Sequence, residues 1–240
     1  MARLRRRTAP RARGRPRTVC RVRPDGVSRN PERASLSSTA VQRFYRYHAR
    51  VYDATRWTIL HGQRRAVRAL QLRPDSRVLE IGCGTGRNFS LLLAHLDPTR
   101  GRLTGLDFSA DMLARARKRW ETRGPVTLLQ ADATNFALPE RFDAILFAYS
   151  LTMIPDWRAA LARAVAHLAP GGTLVVLDFG RFERWGPLAP LLRGWLRLNH
   201  VETGAPYAEH VRTLLPETTI TTHAGGYYFL ACGRRTPQAW

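Results

Sequence analysis

The sequence predicts an α/β chain built on a doubly wound, mostly parallel seven-stranded sheet with one antiparallel strand near the C-terminus. Three observations predict it. Short apolar runs alternate with helical patterns through five β-α units between residues 77 and 179. A glycine turn, Glu80-Ile81-Gly82-Cys83-Gly84-Thr85-Gly86, sits where the first strand passes into a helix. The last segment, Thr218 to Cys232, reads as two strands around Ala224-Gly225-Gly226, an antiparallel pair that closes the sheet.

The elements follow in order. Residues 1–35 are rich in Arg, Pro, Ala and Ser with little to bury, the composition of a disordered tail. Residues 36–240 form the folded domain. Ser37 starts a helix through Phe44, Tyr45 and Tyr47 to Val51, and Trp57 to Leu70 carries Ile59, Leu60, Val67 and Leu70 at helical spacing. Pro74-Asp75 turns the chain into a strand over Arg77 to Ile81. Asn88 to Leu96 is an apolar-faced helix, and Arg102 to Leu106 a strand ending at Asp107. Ser109 caps a helix to Trp120, and Val126 to Gln130 is the third strand. Phe142 to Tyr149 is continuously apolar, as a strand covered on both faces must be. Asp156 to Leu168 is a helix closed by Pro170-Gly171-Gly172, and Thr173 to Phe179 is the fifth strand.

Charge is the unusual part of the composition. Lys and Arg total 39 against 18 acids, a formal +21, and Lys118 is the only lysine. Twelve arginines stand in residues 1–33 against Asp25 and Glu32, so the remainder still carries about half of the excess. Such a balance draws a protein to anionic partners without choosing between nucleic acid and lipid. The tail reads either as a tether or as sequence translated ahead of the true start, and is given no role. Cys20, Cys83 and Cys232 form no CxxC pair and the seven histidines lack ligand spacing, so neither a disulfide framework nor a metal site is expected. No apolar run reaches the roughly 20 residues of a spanning helix, and the N-terminus lacks a signal-like apolar segment. The expected location is cytoplasmic, with peripheral contact at the inner membrane face.

The glycine turn carries the chemistry. Its spacing is G-x-G-x-G, with Arg87 where a dinucleotide fingerprint places its last glycine, which points away from NAD. Asp107 follows Gly86 by 21 residues at the end of the next strand, where an acid can accept bonds from ribose hydroxyls. Ala131-Asp132-Ala133 ends the third strand, where Asp132 can accept from an adenine amino group.

With these residues the sequence resembles the class I S-adenosylmethionine-dependent methyltransferases, a Rossmann-like fold, over roughly residues 75 to 180. The resemblance implies S-adenosyl-L-methionine as cofactor. Gly82, Cys83, Gly84 and Gly86 would flank its methionine part, Asp107 its ribose, and Asp132 with Ala133 its adenine, with Phe108 on the adenine face. Glu80 would orient the loop or meet the amino group, and Phe147 to Ser150 would line the cleft. The fourth strand ends in Phe147-Ala148-Tyr149-Ser150 rather than the Asn/Asp-Pro-Pro-Tyr type of motif found in base and glutamine methyltransferases, which disfavours nucleic acid.

Tyr52-Asp53-Ala54-Thr55-Arg56-Trp57, Gly84-Thr85-Gly86-Arg87-Asn88 and Tyr149-Ser150-Leu151-Thr152-Met153-Ile154-Pro155 resemble the bacterial N-methyltransferases of betaine-lipid synthesis, the BtaB family. That family trimethylates the amine of diacylglyceryl-homoserine. The resemblance implies Tyr52, Arg56 and Tyr149 as catalytic-site residues. Tyr45, Trp57, Tyr227 and Tyr228 would complete an aromatic wall for the cationic amine, with Arg56 or Arg87 on the substrate carboxylate. Residues 184–198 place Leu188, Leu191, Leu192, Trp195 and Leu196 at helical spacing among Arg184, Arg193 and Arg197, the pattern of a helix at an anionic membrane surface. The alternatives are a phosphatidylethanolamine or quinone-precursor methyltransferase, and, in another class, an RNA-binding protein with a vestigial cofactor pocket.

Overall fold

The computed structural model describes residues 60–120 and 123–236. The segment before Leu60 lies outside them, and with it the tail, the helix expected from Ser37, and Tyr45, Tyr52, Arg56 and Trp57. The chain order is α1 (Gln63–Ala69), β1 (Arg77–Ile81), α2 (Phe89–Leu93), β2 (Arg102–Asp107), α3 (Ala110–Trp120), β3 (Val126–Gln130) and β4 (Phe142–Ala148). A 3-10 turn (Leu151–Met153) leads to α4 (Trp157–His167), β5 (Leu168–Phe179), α5 (Leu188–Leu198), α6 (Tyr207–Leu214), β6 (Thr219–His223) and β7 (Tyr228–Arg234).

The seven strands lie in the order β3-β2-β1-β4-β5-β7-β6. Only β7 runs against its neighbours, pairing antiparallel with β5 and β6, so the expected fold class holds. The order reverses between β1 and β4, which pair through Glu80 with Leu146 and Ile81 with Phe147. A crevice therefore opens beyond the carboxyl ends of β1 and β4, where sheets of this kind bind ligands.

Two apolar clusters, one on each face, hold helices to the sheet. One joins Val67 of α1, Phe89 of α2, Leu113 and Trp120 of α3 and Leu196 of α5 to Val78, Leu103, Val175 and Leu177. The other joins Leu161 of α4 and Val211 of α6 to Leu79, Ile81, Phe147 and Val176. Side chains of successive strand residues point to opposite faces, so β4 and β5 supply both clusters and are apolar throughout.

Local departures from the sequence reading have local causes. Leu60 and His61 are not helical, because Gly62 at φ 89° sits in the left-handed region and α1 begins only after it. The regular part of α2 stops at Leu93 and the chain continues in turns to Leu96. β5 begins at Leu168, so Pro170-Gly171-Gly172 lies inside the strand and not beyond a helix. Helix α6 was not anticipated, although Tyr207, Ala208 and Val211 form its buried stripe behind Pro206.

Gly105 shows how closely this framework is packed beneath the glycine turn. A Cβ there would lie 2.5 Å from Phe89 Cζ and 2.9 Å from Cys83 Sγ, so the strand surface is bare where α2 and the turn press on it. Gly105→Ala is expected to cost about 1–3 kcal/mol through overpacking, with a melting temperature lowered by roughly 2–4 °C per kcal/mol. An unshifted calorimetric melt would show that the contact gives way freely.

Candidate active site

The turn after β1 is fixed to β2 by backbone alone. Gly82 N–H and Cys83 N–H both donate to Leu106 O, at 2.8 and 3.0 Å, and Gly86 N–H returns to Cys83 O at 3.0 Å. Gly82, Gly84 and Gly86 have φ of 71°, 56° and 70°, which side chains rarely adopt. Their surroundings differ. A Cβ on Gly82 would meet Ser150 Cβ at 2.4 Å and one on Gly86 would meet Phe89 at 2.7 Å, whereas one on Gly84 would meet nothing within 4 Å. The turn is thus clamped at both ends and open at its centre.

Asp107 reaches the same centre from β2. Its Oδ2 accepts Gly84 N–H at 2.7 Å and its Oδ1 accepts Ser109 N–H at 2.8 Å, tying two loops together. Register places Asp107 opposite Gln130, so β3 delivers Ala131-Asp132-Ala133 to the same edge. Asp132 Oδ1 accepts the N–H and hydroxyl of Thr134, each at 2.8 Å. Phe108 stands exposed beside this loop, and Ala133 is buried.

Glu80 is the least comfortable residue in the site. It is 1% exposed, its Oε1 accepts Asn88 Nδ2 at 2.7 Å, and its Oε2 is buried without a hydrogen-bond partner. Burial, with Asn88 opposing and Asp107 adding repulsion, pushes its carboxyl up to about 8. A buried acid with an orphaned oxygen fits a donor or cation arriving from outside the chain. Burial also raises the Cys83 thiol well above its ordinary range, and its side chain is covered, so only backbone of Cys83 faces the turn's open side.

The end of β4 is arranged otherwise than the sequence suggests. Phe147 is fully buried within the sheet's second apolar cluster and does not line a cleft. Tyr149 is 2% exposed, at φ 56°, a strained backbone for a non-glycine residue. Its hydroxyl donates to His61 O at 2.7 Å and accepts His61 N–H at 3.2 Å, and burial lifts its phenol far above the ordinary value. Tyr149 is therefore an anchor for the chain entering α1 rather than an open wall or a proton carrier. Ser150 Oγ donates to Ile81 O at 2.7 Å, locking β4's exit to β1.

Beyond β5, aromatic rings gather. Phe179 lies 4.8 Å from Tyr149 and 5.9 Å from Tyr227, and Tyr227 lies 5.7 Å from Trp185 and 5.6 Å from Phe182. Tyr228, the cross-strand partner of Phe179, is buried in the same cluster, and its hydroxyl accepts from Arg65 Nη1 at 2.7 Å. The sequence reading missed Asp178. This fully buried acid at β5's end accepts from Thr152 N–H and hydroxyl, at 3.1 and 2.7 Å, and from Phe179 N–H at 2.9 Å. It holds the 3-10 turn against the strand ends. A lone acid closing the apolar run Leu174–Leu177 was the available signal.

A strand order reversing beside a clamped glycine turn, with carboxylates at the ends of β1, β2 and β3, defines the class I methyltransferase scaffold. The comparisons agree. A family model described as methyltransferase domain matches residues 78–172. The phosphatidylethanolamine N-methyltransferase of Cereibacter sphaeroides is 32% identical over 165 residues, 67% of this chain and 78% of that protein. The demethylmenaquinone methyltransferase of Thermus thermophilus is 38% identical over 122 residues, 50% of this chain, so the chain spans 54% of that relative's length. Among solved structures, the N-methyltransferase NodS from Bradyrhizobium japonicum WM9 in complex with S-adenosyl-l-homocysteine is 27% identical with a TM-score of 0.52, covering 71% of this chain and 85% of that one. The chain belongs to the S-adenosylmethionine-dependent methyltransferase family. It is an enzyme that uses S-adenosylmethionine, which retires the reading of an RNA-binding protein with a vestigial pocket.

The buried acid makes stability depend on pH. Glu80 is raised from 4.5 to about 8 in the folded chain, so between those values the unfolded chain has ionised while the folded one keeps its proton. Its contribution to stability is full below pH 4.5, falls at up to about 1.4 kcal/mol per pH unit, and is gone above pH 8. Without cofactor, Glu80→Gln should gain on the parent protein steadily from pH 5 to pH 8 in urea unfolding. A difference constant with pH would mean that Glu80 is ionised in the folded chain.

Proposed function

We propose that this enzyme methylates the amino group of a lipid head group, with diacylglyceryl-homoserine as the acceptor that the sequence motifs favour. The observation that carries the reading is the half-buried pair Trp185 and Tyr227, packed against the buried rings of Phe179 and Phe182 beyond β5. Aromatic faces attract a methylated ammonium by roughly 0.5–2 kcal/mol each. The likeness to a phosphatidylethanolamine N-methyltransferase supports it. A quinone precursor is the second reading, favoured by the likeness to a demethylmenaquinone methyltransferase.

The residues fit the cofactor. Gly84, open on its outer side, lets the backbone approach the methionine part, with Gly82, Cys83 and Gly86 shaping the turn around it. Glu80's orphaned oxygen meets the amino group. Asp107 holds the ribose, Asp132 and Ala133 the adenine edge, and Phe108 covers its face. When bound, the cofactor supplies an activated methyl group on a positively charged sulfur. The chain's own task is to align an unprotonated amine with that methyl and to exclude water. Tyr149 and Ser150 act by positioning, since both hydroxyls are committed to backbone oxygens. Tyr52 and Arg56 belong to the substrate side in this proposal, Arg56 or Arg87 pairing with the homoserine carboxylate. The acceptor is presented at an anionic membrane surface, while no helix among the described residues is long and apolar enough to cross one.

Two outcomes test these assignments. Asp107→Ala should weaken cofactor binding in calorimetry by roughly 100-fold or more, the loss of charge-assisted bonds, and unchanged affinity would place the ribose elsewhere. Purified enzyme with labelled cofactor should transfer label to diacylglyceryl-homoserine in preference to phosphatidylethanolamine and a demethylated quinone. Label in phosphatidylethanolamine alone would replace the homoserine lipid, and label in the quinone alone would overturn the amine reading.

A further inference from the structure

Five large apolar side chains are exposed among the described residues, and they are not scattered. Phe108 stands at the nucleotide loop, and the other four are Leu188 (59% exposed), Leu191 (74%), Trp195 (47%) and Leu198 (79%). All four lie on α5. Their spacings of three, four and three residues put them on one stripe of the helix. Ala189 and Leu196 are buried on a different side, in the cluster that contains Tyr149 and Phe179. The helix is therefore held to the fold independently of the stripe, at the carboxyl edge that carries the active site. Leu192 is only partly buried and Leu198 is fully outward, which corrects the set expected from sequence: Leu196 belongs to the core, and Leu198 to the surface.

We propose that this stripe of α5 docks the enzyme on an anionic phospholipid bilayer and sets its active-site edge against the membrane. The inference rests on the lipid reading above and names the surface that serves it. Charge selects the occupant. The charged residues of α5 are Arg193 and Arg197, with no carboxylate, and its approach carries Arg184 beside Glu183 and Arg181, which pairs with Glu209 at 3.8 Å. The whole chain has a formal +21. Two such surfaces repel each other, and four side chains on an 11-residue helix offer less than the roughly 800 Å² per partner of a stable protein interface. An anionic lipid surface attracts the same arginines and accepts the leucines and tryptophan at its acyl boundary. At about 1.5 Å per residue the helix spans roughly 16 Å, long enough to lie in the interface and too short to cross it.

The test uses the full chain and vesicles of equimolar phosphatidylcholine and phosphatidylglycerol, without methyl donor or acceptor. Leu191→Gln with Leu198→Gln should lower vesicle partitioning roughly tenfold or more, while the melt and calorimetric cofactor affinity stay unchanged, because neither side chain is packed into the fold. The Arg-rich N-terminal segment is present in both proteins and cancels in the comparison. Equal partitioning of variant and parent, or a parent that does not sediment with vesicles, would overturn the docking face. So would a parent that light scattering shows to be a dimer and the variant a monomer, with vesicle binding unaltered, since the stripe would then join two copies. The substrate reading is judged separately by the label-transfer assay, so the two can fail independently.

Discussion

Leu106 O, at the end of β2, accepts two successive N–H groups of the turn that leaves β1. Everything at this edge depends on that shared acceptor. It forces the chain to double back before it enters α2, which is possible only with left-handed backbone at Gly82, Gly84 and Gly86. Because Asp107 follows Leu106 directly, the same strand end that holds the turn also presents a carboxylate to its middle. The geometry of a cofactor loop and the placement of its nearest acid are then one constraint, set by the pairing of β1 with β2.

The electrostatics run against the rest of the molecule. A chain with a formal +21 gathers Glu80, Asp107 and Asp132 at adjoining strand ends. Burial above all, with Asp107 adding repulsion, holds the Glu80 carboxyl well above the ordinary carboxylate range. Such a site is poised for a ligand bearing positive charge, which a sulfonium and an ammonium both do. In the proposed reading the stability given up in burying Glu80 would be recovered when that charge arrives, which is how binding sites commonly carry local strain.

The sheet and its order of elements were legible in the sequence because strands buried on both faces must be continuously apolar, as Phe142–Ala148 is, and because glycines punctuate the turns. Glu80, Asp107 and Asp132 were legible because Glu80 interrupts the apolar run of β1 just before the glycine turn, Asp107 closes β2, and Asp132 follows β3 by two residues. Other features depend on distances that sequence does not hold. Phe147 and Tyr149 sit beside the site in the chain, yet their side chains face the core. The strand's alternation sends Phe147 into one cluster and the left-handed turn at Tyr149 sends its ring into the other. α6 escaped notice because it has only eight residues. Asp178 escaped because Thr152, whose hydroxyl and N–H it accepts, lies 26 residues away in the chain.

The carboxyl edge divides into two halves with different physics, and the division follows from the reaction. On the side of β1, β2 and β3, where the cofactor is proposed to sit, the carboxylates and the open glycine turn gather. On the side of β4 and β5, the polar groups of Tyr149, Ser150 and Asp178 are all turned inward to backbone and to Thr152, and the apolar stripe of α5 faces outward. Methyl transfer from a sulfonium needs alignment and dehydration more than proton transfer. Committing these three polar groups to the protein's own scaffold removes them as anchors for water beside the strand ends. The proposed lipid acceptor would extend that logic past the pocket: its apolar part would stay in the bilayer, and only the amine would have to leave water to meet the methyl.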